Sequence, residues 1–195
     1  MDFMKKGIVI GTSEYTKDFL KDCLDSLQET PYDVLVVSNG GYKPNFDAYE
    51  HYRPEGKEYK LIVNDWNGWE PAVIMEAKKH FDEFVHLMDT TVVKDINLFD
   101  KLFALEGNVV LTKGNFHYMG KFVSSLLPTL PKIFNKDVAI MVETRWLPQP
   151  YTEFTPDLPV HTNVFETVHG QNRMLLENDY MKKWKGTFIR SKEHP

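Results

Sequence analysis

The chain has 195 residues, of which 42% are hydrophobic and 26% are charged, a composition typical of a globular protein rather than a disordered one. The formal net charge of −5 provides no overall basic surface for nucleic acid, and the single cysteine, Cys23, excludes an internal disulfide. No apolar run approaches the roughly 20 residues that cross a bilayer, so we expect one cytoplasmic domain over residues 1–195.

The first forty residues predict a strand, a helix and a second strand. Residues 7–11 and 34–37 are apolar runs typical of buried strands. Between them, behind Thr16 as the expected N-cap, five apolar residues recur at helical spacing: Phe19, Leu20, Cys23, Leu24 and Leu27. Short joints between these elements imply parallel pairing with a right-handed crossover. The loops at 12–14 and 38–41 should then lie side by side at one edge of a sheet.

Polar residues fill both of these loops. Thr12, Ser13 and Glu14 follow the first strand, and Asn39 follows the second. The carboxyl ends of parallel strands face the crevice in which α/β proteins bind ligands. We therefore interpret these side chains as contacts to the base or ribose of a nucleotide, with ordinary turns as the alternative. Neither loop contains a GxGxxG or P-loop motif.

A third polar loop follows the short strand predicted at 61–63. Asp65 and Asn67 border Trp66 and Trp69, whose rings could stack on a base or sugar or pack on the sheet. A helix is then expected over 72–80.

The buried strand that follows this helix ends directly at Asp89. Because a carboxylate in this position opens into the ligand crevice, Asp89 is the strongest single candidate for a ligand contact. The alternative is that Asp89 only caps a turn.

The second half of the chain is less regular. The pattern predicts a helix from 98 to 105 ended by Gly107, a strand at 109–111 and a short helix near 122–127. A strand at 138–142 would carry Glu143, a proline-rich extended passage would follow, and a short basic helix would span 179–185. The expected fold class is α/β, with a mostly parallel central sheet flanked by helices and an irregular C-terminal half.

Four segments together resemble the family-2-like glycosyltransferases of the GT-A fold. Residues 8–13 and 19–27 look like that family's first strand and its L-x-x-C-L-x-S-L helix. Residues 36–41 sit where the family has its V-V-D-N-G-S turn, residues 67–72 look like its N-x-G-x-x-x-A stretch, and residues 89–91 fall where it carries its DxD motif. The resemblance covers about residues 7–112, and the order and spacing of the motifs carry it.

The resemblance implies a single GT-A-like, Rossmann-related domain. Residues 1–112 would form the nucleotide-sugar-binding half, and residues 113–195 the acceptor-side half and tail. The implied activity is transfer of a sugar from a nucleotide-sugar donor to an acceptor hydroxyl with inversion. The acceptor would be a glycan, a protein, a small molecule or a modified DNA base.

The resemblance also implies roles for particular residues. Asp89 would anchor the donor and, with Thr91 and His169, hold a divalent cation, Mn²⁺ or Mg²⁺. Glu143 would act as general base, unless it pairs structurally with a neighbouring cation, and Arg173 would neutralise the leaving diphosphate, together with lysines of the tail. The sequence departs from the family where Thr91 replaces the last aspartate of DxD and a serine replaces the aspartate of the second turn. A hard cation prefers anionic oxygen ligands, so these departures alter the metal ligands and the nucleoside contacts relative to the family.

Two other functions remain open. A nucleotidyltransferase shares the α/β design, but it normally needs a glycine-rich, basic phosphate loop after the first strand, which residues 12–14 do not provide. A catalytically silent protein that binds a sugar-nucleotide or a glycan on the same fold is the other alternative. The neutral Thr90 and Thr91 favour it.

Overall fold

The structure is a computed structural model that describes residues 4–45, 59–66, 69–111, 119–129, 151–154 and 160–186. Its helices are α1 (Leu20–Asp25), α2 (Trp69–Ala77) and α3 (Asn97–Phe103), and no helix of the described ranges is long and apolar enough to cross a membrane. The strands are β1 (Lys6–Thr12), β2 (Asp33–Ser38), β3 (Tyr59–Val63), β4 (Glu83–Met88), β5 (Thr91–Val93), β6 (Asn108–Val110), β7 (Gly120–Val123), β8 (Tyr151–Glu153), β9 (Val160–Val168), β10 (Gln171–Glu177) and β11 (Met181–Gly186).

Seven strands form the central sheet in the order β3-β2-β1-β4-β7-β6-β8. Strands β3, β2, β1 and β4 run parallel, β7 is antiparallel to both of its neighbours, and β8 is parallel to β6. The predicted α/β class and mostly parallel sheet are therefore confirmed. Thr12 lies opposite Ser38, and Gly11 lies opposite Met88. The loops that follow β1, β2 and β4 consequently leave the sheet at the same level.

The apolar residues of β1 alternate between two cores. Ile8 and Ile10 point to the face covered by α1 and α3, whereas Val9 points to the face covered by α2. This alternation is what a strand buried on both sides requires. The apolar face predicted for the first helix is confirmed, since all five of its residues are fully buried. A single 3₁₀ turn (Lys17–Phe19) precedes α1 and contains Phe19, the first residue of this face.

A second, antiparallel sheet has the order β5-β11-β10-β9. The helix predicted over 179–185 is wrong, because this stretch forms β11. The basic residues there suggested a solvated helix, but Lys183 is buried and pairs in register with Thr91 of β5. Hydrogen bonding to β5 on one edge and to β10 on the other satisfies the backbone of β11 as a strand.

The short helix predicted near Phe122 is also wrong over its first part. Residues 120–123 form β7 between β4 and β6, and only the single 3₁₀ turn Ser124–Leu126 follows. Gly120 allows this arrangement, because a Cβ at that position would lie 2.0 Å from the carbonyl oxygen of Val109. The strand predicted at 138–142 lies outside the described residues.

Candidate functional site

Asp89 lies at the centre of a hydrogen-bonded cluster at the carboxyl end of β4. Its Oδ2 accepts hydrogen bonds from the hydroxyls of Thr12, at 2.7 Å, and Thr16, at 2.5 Å. Its backbone N–H donates to the carbonyl of Gly11 at 3.1 Å. Thr16 was expected to cap the first helix, but its hydroxyl makes no capping bond and binds Asp89 instead. Asp89, only 3% exposed, thereby fixes the loop after β1 onto the end of β4.

The loop after β2 is bonded to the loops on both sides of it. The backbone N–H of Asn39 donates to the carbonyl of Thr12 at 3.0 Å, and its side-chain oxygen accepts from the Asn64 amide at 3.2 Å. Gly41 donates to the carbonyl of Asn64 at 2.7 Å. The predicted juxtaposition of the loops after β1 and β2 is confirmed, and the loop after β3 joins them. Asp65 is exposed at this edge.

A buried lysine from the second sheet reaches the same strand end. Nζ of Lys183 donates to the hydroxyl of Thr90 at 3.1 Å and contacts the sulfur of Met88 at 2.8 Å. Its side chain is 1% exposed. Sequence reasoning grouped this lysine with the other tail cations and missed its burial, because only the pairing of β11 with β5 turns it inward.

Sequence reasoning also assigned no role to Glu70, in the first turn of α2. Its negative charge acts on the ionisation of both Asp89 and Lys183, which identifies it as part of the same electrostatic cluster. Its Oε2 is buried and accepts no hydrogen bond from the described residues. The sequence signal that could have identified Glu70 is an acidic residue in the first turn of a helix that packs against β1.

Burial changes the ionisation of the two central charges in opposite directions. It raises the pKa of Asp89 to about 7, although the Thr12 and Thr16 hydroxyls and the charge of Lys183 oppose the rise. Burial lowers the pKa of Lys183 to about 8, opposed by the charges of Glu70 and Asp89. Ionisable groups shifted toward neutrality by burial and by specific charges are typical of functional sites.

These shifts predict how stability depends on pH. Folded Asp89 holds its proton up to about pH 7 against 3.8 when unfolded, so the free energy of unfolding should fall as pH rises through this window. Lys183 loses its proton at about pH 8 when folded and 10.5 when unfolded, so stability should recover through that range. We expect Asp89→Asn to abolish the fall, which should be on the order of 4 kcal/mol at about 1.4 kcal/mol per pH unit. Urea titrations from pH 4 to 10 measure it, and parallel curves for the two proteins below pH 7 would contradict the assignment.

The other predicted ligand residues of the C-terminal half lie around Phe19. The His169 ring nitrogen pairs with Asp22 at 2.8 Å, and its ring meets Phe19 edge-on at 5.0 Å. The Arg173 guanidinium stacks over Phe19 at 5.1 Å and bonds to Gln171. Burial lowers the pKa of Arg173, and the charge of Asp89 opposes this, so Arg173 is within electrostatic reach of the Asp89 cluster.

The residues predicted to hold a divalent cation have separate partners. Mn²⁺ and Mg²⁺ require several oxygen ligands, mostly anionic. The Thr91 hydroxyl is buried against the sulfur of Met119 at 3.8 Å, His169 pairs with Asp22, and Asp89 is a single carboxylate. The described ranges contain no group of three or more His, Cys, Asp or Glu side chains able to hold a metal ion. These residues do not fit a divalent site, and the metal role of Asp89, Thr91 and His169 stays a prediction.

The roles predicted for Asn67, Glu143, Ser13 and Glu14 also stay predictions. Asn67 and Glu143 lie outside the described residues. Ser13 and Glu14 are in the loop that Asp89 holds, where Ser13 approaches Thr16 at 3.4 Å between hydroxyl oxygens.

The sequence matches no protein-family model and no curated protein. Solved structures match its fold. HddC from Yersinia pseudotuberculosis has a TM-score of 0.54 at 12% identity, covering 77% of this chain and 90% of its own. A cytidylyltransferase from Leptospira borgpetersenii has a TM-score of 0.52 at 16% identity, covering 78% and 76%. The glycosyltransferase GlyE from Streptococcus pneumoniae has a TM-score of 0.49 at 8% identity, covering 77% and 46%.

The protein therefore has a GT-A-like α/β fold, as its motifs predicted. A cytidylyltransferase shares this fold, and a shared fold does not by itself select an activity. The chain spans between 24% and 48% of the length of several other matched structures.

Proposed function

We propose that the protein is a glycosyltransferase that moves a sugar from a nucleotide-sugar donor to an acceptor hydroxyl. The observation that supports this most is the Asp89 cluster. A buried carboxylate stands at the carboxyl end of β4 in the position of the DxD motif, bonded to the loop after β1 and next to the loop after β2. In open α/β sheets this edge is where nucleotides bind. HddC, which has the same fold, has been crystallised with GMP-PN.

In the proposed reaction the acceptor oxygen attacks the anomeric carbon of the donor sugar. A bond from that oxygen to the anomeric carbon forms as the bond from the carbon to the diphosphate oxygen breaks, with inversion, and a nucleoside diphosphate leaves. Glu143 is proposed to take the acceptor proton. Arg173 is proposed to offset the negative charge that develops on the diphosphate.

Binding of the donor nucleoside is proposed for the polar loops at this edge of the sheet. The residues are Thr12, Ser13, Glu14, Asn39, Asp65 and Asn67. Asp89 would hold these loops in register with the donor, since its Oδ2 already engages the hydroxyls of Thr12 and Thr16. The acceptor stays open among a glycan, a protein, a small molecule and a modified DNA base.

Nucleotidyl transfer is the second candidate, because a cytidylyltransferase shares the fold. It requires donors for a triphosphate after the first strand. Residues 13–16 offer no glycine, lysine or arginine, and Glu14 adds a carboxylate that would repel the triphosphate. This loop therefore favours glycosyl transfer.

A thermal-shift panel of nucleoside diphosphates, triphosphates and sugar-nucleotides, each with and without Mn²⁺, tests the proposal. Because a ligand that binds only the folded state stabilises it by mass action, a donor at several hundred times its dissociation constant should add about 3 to 4 kcal/mol. The best sugar-nucleotide is then incubated with mixed glycan, protein and nucleic-acid acceptors while release of the nucleoside diphosphate is followed.

The outcomes separate the candidates. Donor-specific stabilisation with release of a nucleoside diphosphate supports glycosyl transfer. Release of pyrophosphate from a nucleoside triphosphate and a sugar 1-phosphate would identify a nucleotidyltransferase instead. Binding without turnover of any acceptor indicates a silent sugar-nucleotide-binding protein, and the lack of any shift would refute all three.

A further inference from the structure

Lys183 places a positive charge at the strand end where the donor diphosphate would lie. Strand β11 pairs with β5 so that Lys183 stands opposite Thr91, and its ammonium turns back to the hydroxyl of Thr90 at 3.1 Å. Thr90 and Thr91 are the second and third positions of the motif that begins with Asp89. The ammonium therefore lies against the second residue of the motif, although Lys183 is about ninety residues away in the chain.

The hydrogen-bonding capacity of this ammonium is not filled within the described residues. A lysine ammonium has three N–H donors. Here the oxygen of Thr90 accepts one, and the other contact is the thioether of Met88, a weak acceptor. No carboxylate of the described ranges forms a salt bridge with it, although Glu70 and Asp89 act on it electrostatically. A buried cation is normally paired, so this one is suited to an additional anionic oxygen.

The same region is poorly suited to a divalent cation. Of the described acidic residues only Asp89 is buried as a whole, while Glu70 adds one buried oxygen. Thr91 is turned into the core, and His169 is paired with Asp22. A divalent ion bound at Asp89 would also meet the like charge of Lys183, which lies on the adjacent residue's hydroxyl. The positive charge of the Lys183 ammonium would thus attract a phosphate oxygen and repel a metal ion.

We propose that Lys183 holds the diphosphate of the nucleotide-sugar donor in place of a divalent metal ion, so that donor binding is independent of divalent cations. This inference rests on the proposed function, because it concerns the diphosphate of the same donor. It also explains why Thr90 and Thr91 are neutral. If the Lys183 ammonium binds the diphosphate, the motif needs no second carboxylate to hold a metal ion.

Calorimetric titration with UDP, GDP, CDP, ADP, dTDP and inorganic pyrophosphate, in EDTA and in Mn²⁺, tests this on the full chain. The wild type should bind its preferred diphosphate with dissociation constants that agree within about threefold in the two conditions. Lys183→Met keeps the length of the side chain and removes the charge, and it should weaken binding at least tenfold in EDTA. Lys183→Arg keeps the charge and should recover part of the affinity.

Lys94→Met is the matched control, since Lys94 follows β5 but is 37% exposed and pairs with Glu177 at 2.9 Å. It should bind like the wild type. Tenfold or stronger binding of a diphosphate by the wild type in Mn²⁺ than in EDTA would overturn the inference while leaving the proposed function intact. Unchanged affinity of Lys183→Met in EDTA would do the same. Failure of the wild type to bind any nucleotide in either condition would refute the proposed function as well. If Lys183→Met does not fold, the comparison of EDTA with Mn²⁺ on the wild type decides alone.

Discussion

Replacement of Asp89 by alanine is expected to weaken donor binding at least 100-fold, which corresponds to about 2.7 kcal/mol, and to abolish detectable turnover. The change removes the acceptor of two hydroxyl hydrogen bonds, from Thr12 and Thr16, and frees the loop after β1 from the end of β4. That loop carries the residues proposed to contact the nucleoside. Calorimetry with the sugar-nucleotide that gives the largest thermal shift measures the effect.

Two further variants define the cause of that loss. Asp89→Asn retains an oxygen acceptor for the two threonines and removes the charge, so a smaller loss of about tenfold is expected if the loop position matters most. Asp82→Ala is the matched control, because Asp82 stands at the opposite end of β4, where it accepts the backbone N–H of Lys5 at 2.8 Å. Wild-type affinity in Asp89→Ala, with its fold intact by circular dichroism, would exclude Asp89 from the site.

Phe19→Ala is expected to give the largest loss of stability, about 3 to 5 kcal/mol. Phe19 is fully buried, and its ring lies 6.0 Å from that of Trp184 and 5.0 Å from that of His169. It packs with Leu175 and Trp184 of the second sheet and is one of the contacts between that sheet and the segment leading into α1, so its loss leaves a cavity between two layers. For a chain of this length the melting temperature should fall by about 6 to 20 °C. Guanidinium titration gives the free energy directly.

Phe165→Ala is the control of the same chemical type. Phe165 lies on β9 of the same sheet but is 45% exposed, so its removal should cost less than about 1.5 kcal/mol. If the two alanine variants lose equal stability, the packing of the second sheet on Phe19 is not what holds it in place.

The first half of the fold was predictable because its elements are local and strongly patterned. Continuous apolar runs identify β1, β2 and β4, and helical spacing identifies the buried face of α1. Parallel pairing follows from the short connections, and from it follows the meeting of the Thr12 and Asn39 loops. Asp89 was identified for the same reason, since it ends a strand that is buried on both faces.

The second half was not predictable from local pattern. Strand β11 contains three lysines in six residues, and on composition alone it resembles a solvated helix. Only its pairing with β5, about ninety residues earlier, makes it a strand and buries Lys183. Thr16 was missed as a partner of Asp89 because its position before a helix favours an N-cap, and the competing carboxylate is 73 residues away. Contacts between residues so far apart in the chain produce no periodic pattern in the sequence.

The pairing of β5 with β11 also has a consequence for how the chain folds. Its contacts span about ninety residues, so closing this loop carries a large entropic cost and is expected to be slow. At ribosomal rates of about 5 to 20 residues per second, β5 waits roughly 5 to 20 s for its partner to be synthesised. During that interval the parallel strands β1, β2 and β4 can pair, but the edge of β5 is open to pairing with other chains. Expression at lower temperature or with chaperones that mask strand edges should therefore raise the yield of folded protein.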